Sequence, residues 1–175
     1  MARIAFEGPS DKVTVSGASE VLRAIRWGMS GQRERPASLH FVSSSPAQLR
    51  TVLDRKLQLD GLDWSSDTFK NQAYNLRKGR VDLLRHHLAY KSLAILRLVQ
   101  AAGEGAQFVL LGDSAESDAY IYLGVQLLLS GELNAKSYKE FLLLGGVEAE
   151  LAGELEAIAG QLPAGAVTDL SLIHI

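Results

Sequence analysis

Two aspartates, Asp113 and Asp118, fall within the stretch FVLLGDSAESDAYIY, Phe108–Tyr122. Four apolar residues run into Gly112 and Asp113, and Asp118 follows five residues later. Paired carboxylates are hard oxygen ligands and suit Mg²⁺, which keeps several waters while binding a few carboxylates and phosphate oxygens. Gly112 allows a tight bend before the first aspartate. Local structure offers a competing role: Ser114 or Ser117 as a helix N-cap, and Asp118 as a charge that favours the helix dipole. Spacing alone leaves both open. A second candidate is VSSSPAQ, where Ser43, Ser44 and Ser45 lead from an apolar run towards a helix. A helix N-terminus presents free N–H groups to a phosphate, and a serine hydroxyl there can donate to a phosphoryl oxygen. The same serines could serve only the turn and the cap, and taken alone that is the simpler reading. Lys91 is the third candidate. It shares a helical stripe with Leu88, Ile95, Leu98, Val99 and Ala102, where a charge is costly unless paired. Either its head snorkels to water, or it sits near the aspartates to pair with Asp113 and a phosphate.

Between Lys70 and Lys91 lie Arg77, Lys78, Arg80 and Arg85 against Asp82 alone, with His86 and His87 beside them. A solvated face is the ordinary explanation, and an anion-recruiting surface over an active site is the alternative. Adjacent histidines do not face the same way on a helix, so they do not make a metal pair.

The elements that must position these groups can be read from periodicity. SGASEVLRAIRWGMS reads as a helix that Ser16 or Ser19 could cap. LHFV, Leu39–Val42, is a short apolar run bounded by polar residues and predicts a buried strand. The next helix takes Ser45 as N-cap, Pro46 as its first residue and Gln48 to complete a capping box, with Leu49, Val52, Leu53 and Leu57 on its buried face. DGLDWSSDTFKNQ is loop with room for one short strand, and GRVDLLRHHLAYKSLAILRLVQAAG is helical in one or two pieces. AQFVLLGD is a strand, and three helical segments follow. Strands alternating with helices predict a parallel α/β sheet with right-handed crossovers. Ligands gather beyond the carboxyl ends of such strands, which puts Ser43 and Asp113 on one rim.

The chain has 175 residues, a length that defaults to one domain. Hydrophobic residues make up 47%, a globular composition, and the net charge of −2 implies no general pull towards nucleic acid or an acidic membrane. The absence of cysteine excludes disulfides and thiolate metal sites. The first residues lack a signal-peptide core, and the longest mainly apolar stretch, AYIYLGVQLLLSG, is too short to span a bilayer. The reading is a cytoplasmic protein. The final AVTDLSLIHI is apolar and uncapped. It can be an edge strand, and it also resembles translated adapter sequence at the end of an assembled fragment.

LHFVSSSPAQL, YKSLAILRLV and FVLLGDSAESDAYIY, in that order, resemble the haloacid dehalogenase superfamily of phosphohydrolases. More narrowly they resemble the catalytic domain of the actin-patch-type phosphatidate phosphatases and its bacterial relatives, over roughly residues 2–146. The resemblance implies a three-layer, Rossmann-like α/β fold, with a parallel sheet flanked by helices. It implies a domain over residues 1–162, incomplete at both ends, and an uncertain tail over 163–175. Carried over by motif, Ser43 and Ser44 bind the phosphoryl group, and Lys91 neutralises it and acts catalytically with Ser43. Asp113 and Asp118 hold Mg²⁺. The implied partner is a phosphorylated small molecule or a phospholipid head group, with no nucleic acid and scope for peripheral membrane contact.

The chain departs from the superfamily in one respect that bears on chemistry. The superfamily's nucleophile and general acid come from a D-x-D motif upstream of the serine motif, and the reaction runs through an aspartyl-phosphate. Here the only aspartate before Ser43 is Asp11, with no second aspartate near it. The expectation is a phosphohydrolase domain fragment without its nucleophile. The alternatives are a non-catalytic phosphate- or phospholipid-binding module of the same fold, and an unrelated α/β domain whose basic helix meets a protein or nucleic acid.

Overall fold

A computed structural model describes residues 14–29, 31, 34, 36–70, 83–112, 117–162 and 167–174, with backbone alone at 70, 83–86 and 167–174. Asp11, Asp113 and the basic residues Arg77, Lys78 and Arg80 lie outside the described residues. The chain divides into two compact units, Met1–Arg77 and Lys78–Ile175.

In the first unit, helix α1 (Ala18–Trp27) precedes strand β1 (His40–Pro46), a short 3₁₀ helix (Ala47–Leu49), helix α2 (Arg50–Leu59) and strand β2 (Ser66–Lys70). β1 and β2 pair in parallel, with His40 opposite Ser66, and the register shifts between Ser43 and Pro46. The apolar run thus opens a longer strand than expected, and Ser43 lies inside β1 rather than just beyond it. The expected caps also change. Gly17, at φ 84°, begins α1 without a side-chain cap, which only glycine tolerates at low cost. Pro46 precedes the 3₁₀ helix and Leu49 precedes α2, each without a side-chain cap, so Ser45 is not the N-cap. The Ser45 N–H bonds Ser43 Oγ at 3.1 Å inside the irregular end of β1.

In the second unit, α3 (Leu83–Ala102) is one continuous helix of 20 residues, followed by β3 (Ala106–Gly112). Helices α4 (Asp118–Leu129), α5 (Ala135–Leu144) and α6 (Ala149–Ala159) lead to β4 (Val167–His174). β4 pairs in parallel with β3, with Phe108 opposite Leu170 and Gly112 opposite His174. The alternating apolar residues of the tail suffice for such a ladder and say nothing of the segment's origin. The core contains Leu88, Ile95, Leu96 and Val99 from α3, Ile121 and Val125 from α4, Tyr138 and Leu142 from α5, and Leu155 from α6. The described residues form a mixed α/β arrangement of six helices and two separate parallel strand pairs. The expected α/β character and parallel pairing are thus present among the described residues.

Candidate functional site

The stripe on α3 faces inwards, as its spacing predicts: Leu88, Ile95 and Val99 are buried. Lys91 shares that face and is only 6% exposed, so snorkelling does not explain it. Its Nζ donates to Oδ1 of Asp118, the first residue of α4, which is itself 6% exposed. Burying either charge alone would be costly, and the pair makes the burial tolerable. The partner found is Asp118; the expected partner, Asp113, lies outside the described residues.

Two neighbouring residues shape this strand end. A Cβ on Gly112 would lie 2.8 Å from Oδ2 of Asp118 and 2.7 Å from a ring carbon of Tyr122. Only glycine therefore lets β3 end against the carboxylate. The Tyr122 hydroxyl donates to the carbonyl of Leu111 at 2.8 Å, tying α4 to the end of β3. Burial, reinforced by the negative charge of Asp118, pushes the Tyr122 phenol above its ordinary pKa, so it remains a donor. Sequence reading missed Tyr122. The available signal was its position four residues after Asp118, on the same helix face.

Ser117 occupies the N-cap position of α4, but its side chain makes no capping bond. Its Oγ is buried and has no hydrogen-bond partner among the described residues. The local explanation for this serine thus loses its main support, and an unsatisfied hydroxyl stands next to Asp118. The serine motif in the first unit has a parallel feature. Ser43 Oγ accepts the backbone N–H of Ser45 at 3.1 Å, while Ser44 Oγ is buried without a partner among the described residues. Buried hydroxyls are usually satisfied, so each is a candidate ligand donor.

A buried carboxylate and an unsatisfied hydroxyl at one helix start are hard oxygen donors, and they fit a Mg²⁺ ion chemically. Among the described residues no group of three histidine, cysteine or acidic side chains could hold a metal. An open groove of about 620 Å³ along α1, lined by Glu20, Arg23, Trp27 and Met29, contains none of the candidate residues. Chemistry rather than volume marks the site.

The model of the family described as phosphatidate phosphatase APP1, catalytic domain, matches residues 1–135. The chain belongs to this family. The match carries the resemblance seen in the motifs, and Ser43, Lys91, Asp113 and Asp118 all lie within it. Helices α5 and α6 and strand β4 lie at or beyond its end. No curated protein and no solved structure matches the chain significantly. For a member of a phosphatidate phosphatase family, Lys91 and Asp118 stand together in the second unit, and Ser43 and Ser44 belong to the first. No described helix is long and apolar enough to cross a membrane.

Proposed function

We propose that this chain carries the phosphate- and metal-binding part of a Mg²⁺-dependent phosphohydrolase acting on phosphatidate or a related phosphomonoester. The buried Lys91–Asp118 pair beside Gly112 carries the reading. A core that only had to be stable would gain as much from two apolar side chains. Ser43 and Ser44 donate hydroxyl hydrogen bonds to phosphoryl oxygens, and the unsatisfied Oγ of Ser44 supports that role. Lys91 offsets phosphate charge from a fixed, buried position, where the interaction is stronger than in water. Asp113 and Asp118 would hold the cation, with Ser117 Oγ close at hand. When bound, Mg²⁺ supplies Lewis-acid stabilisation of charge on the phosphoryl oxygens.

None of these groups is the nucleophile. The sequence has no D-x-D pair upstream of Ser43, so the reading assigns binding and charge neutralisation to this chain and leaves the aspartyl-phosphate step without its aspartate. The absent motif equally favours a non-catalytic module that binds the phosphate head group of a lipid.

Phosphate release from phosphatidate and from a water-soluble phosphomonoester, with and without Mg²⁺, tests the reading. The chain as it stands should show no turnover. The same chain preceded by a strand carrying a D-x-D motif should hydrolyse phosphatidate, and Asp113→Asn should reduce that turnover by weakening the metal site. Turnover by the unextended chain would demand another nucleophile, with Ser43 the first suspect. No turnover by the extended chain, with phosphate and Mg²⁺ still bound, would favour the binding module.

A further inference from the structure

We propose that Tyr122 is a positioning residue for the cation: its hydroxyl holds the end of β3 against Asp118 and so sets the spacing of the metal-binding carboxylates. The proposal rests on the metal-binding reading of this strand end and deepens it.

The two oxygens of the Asp118 carboxylate have different surroundings. Oδ1 takes the ammonium of Lys91, while Oδ2 lies against the end of β3, 2.8 Å from where a Cβ on Gly112 would stand. A cation bound through Oδ2 would lie at this strand end, and Asp113 is the next residue of the sequence. Mg²⁺ demands near-ideal octahedral geometry and tolerates little error in the placing of its ligands. Whatever fixes the strand end relative to Asp118 therefore shapes the site.

Tyr122 does this. It is buried and stands one turn beyond Asp118 on α4. A carbon of its ring lies 2.7 Å from the same Cβ position on Gly112, and its hydroxyl donates to the carbonyl of Leu111 at 2.8 Å. Asp118 and Tyr122 thus close on Gly112 together. Packing alone does not call for a hydroxyl here, since phenylalanine would fill the same space and a buried hydroxyl is costly unless bonded. What the hydroxyl adds is direction. A ring can slide along its neighbours, whereas a hydrogen bond to the Leu111 carbonyl fixes the plane of the peptide that leads into Gly112.

Tyr120 supplies a matched comparison. It is on the same helix, and its hydroxyl also donates to a backbone carbonyl at 2.8 Å, but that carbonyl belongs to Phe141 on α5. The two bonds are alike in chemistry and length, and only the bond of Tyr122 reaches the strand that leads to Asp113.

The test is Mn²⁺ binding to the full chain, followed by electron paramagnetic resonance of the free ion with Mg²⁺ as competitor, since Mn²⁺ takes the same octahedral oxygen ligands. The wild-type chain should bind Mn²⁺ at a site that Asp113→Asn weakens. Tyr122→Phe should weaken that binding about tenfold, the scale of removing a group that orients a metal ligand. Tyr120→Phe should leave it unchanged, although the urea midpoints of the two variants should fall alike. In the D-x-D-extended chain, Tyr122→Phe should raise the Mg²⁺ concentration for half-maximal turnover by a similar factor and leave turnover at saturating Mg²⁺ unchanged. A merely structural loss would instead lower turnover at every Mg²⁺ concentration. Unchanged Mn²⁺ affinity in Tyr122→Phe, or an equal loss in Tyr120→Phe, overturns the proposal and leaves the metal reading standing. Absence of any Asp113-dependent Mn²⁺ binding in the wild type overturns the metal reading and the proposal with it. An extended chain that shows the expected Mn²⁺ pattern and hydrolyses nothing sinks the catalytic reading alone.

Discussion

The ion pairs described in the first unit each retain some access to water, whereas the second unit encloses one pair in an apolar interior. In the first unit, Arg26 bonds Asp63 at 2.8 Å, Arg23 bonds Glu20 at 3.1 Å and Arg50 bonds Asp67 at 2.8 Å. Both helices there lack fully buried residues. In the second unit the buried core runs through α3, α4, α5 and α6, and the Lys91–Asp118 pair is set among it. Ion pairs at a surface contribute little and tolerate exchange. A pair inside an apolar core costs desolvation on both sides and is kept only where something else requires it. The difference teaches where to look for function: at the charged pair that the second unit encloses.

The contrast can be broken most forcefully at Lys91. Lys91→Ala leaves the buried Asp118 without its lysine and should destabilise the second unit by about 3–5 kcal/mol in urea denaturation. Lys91→Met combined with Asp118→Leu should recover most of that loss. If the single variant costs no more than a surface pair, the two units do not differ as described.

A second sharp difference concerns Tyr138, buried in the second core, whose phenol burial pushes up to about 12 against a smaller opposing effect of the Ser92 hydroxyl. The folded pKa lies above the unfolded value, so the contribution is fully present below about pH 10 and is lost as pH rises through the folded value. Over that range the second unit should lose about 1–3 kcal/mol of stability, read from urea midpoints, and tyrosinate absorbance should lag that of a model phenol.

Gly112→Ala should cost about 1–3 kcal/mol, because its methyl group would overlap Tyr122 and Asp118. Thermal denaturation should show that loss.

The smallest effect belongs to the first unit. Arg26→Ala removes bonds to Asp63 and to the carbonyl of Ala37, yet water replaces much of what is lost. The expected cost is about 1 kcal/mol, shrinking as salt is added.

The sequence made some of this legible and hid the rest for identifiable reasons. Strands at Phe41 and Phe108 and the helices from Leu83 onwards follow from apolar periodicity, which reports burial directly. The helix starts did not follow. Ser45 and Gln48 have the residue types of a capping box, but β1 runs on to Pro46 and the Ser45 N–H bonds Ser43 Oγ, a local alternative that residue types alone do not distinguish from a cap. The burial of Lys91 was visible as a charge on an apolar stripe, but its partner was not, because periodicity carries no information on contacts 27 residues apart.

The central claim is that Lys91 and Asp118 are enclosed for function and not for stability. In the D-x-D-extended chain, Mg²⁺-dependent phosphate release from phosphatidate by the Lys91→Met, Asp118→Leu double variant tests it most directly, because apolar replacement preserves the fold while removing the charges. A folded variant with turnover reduced at least about a hundredfold, the scale of losing a charge that stabilises the transition state, is the predicted result. A folded variant that hydrolyses phosphatidate at the rate of its parent would contradict the account.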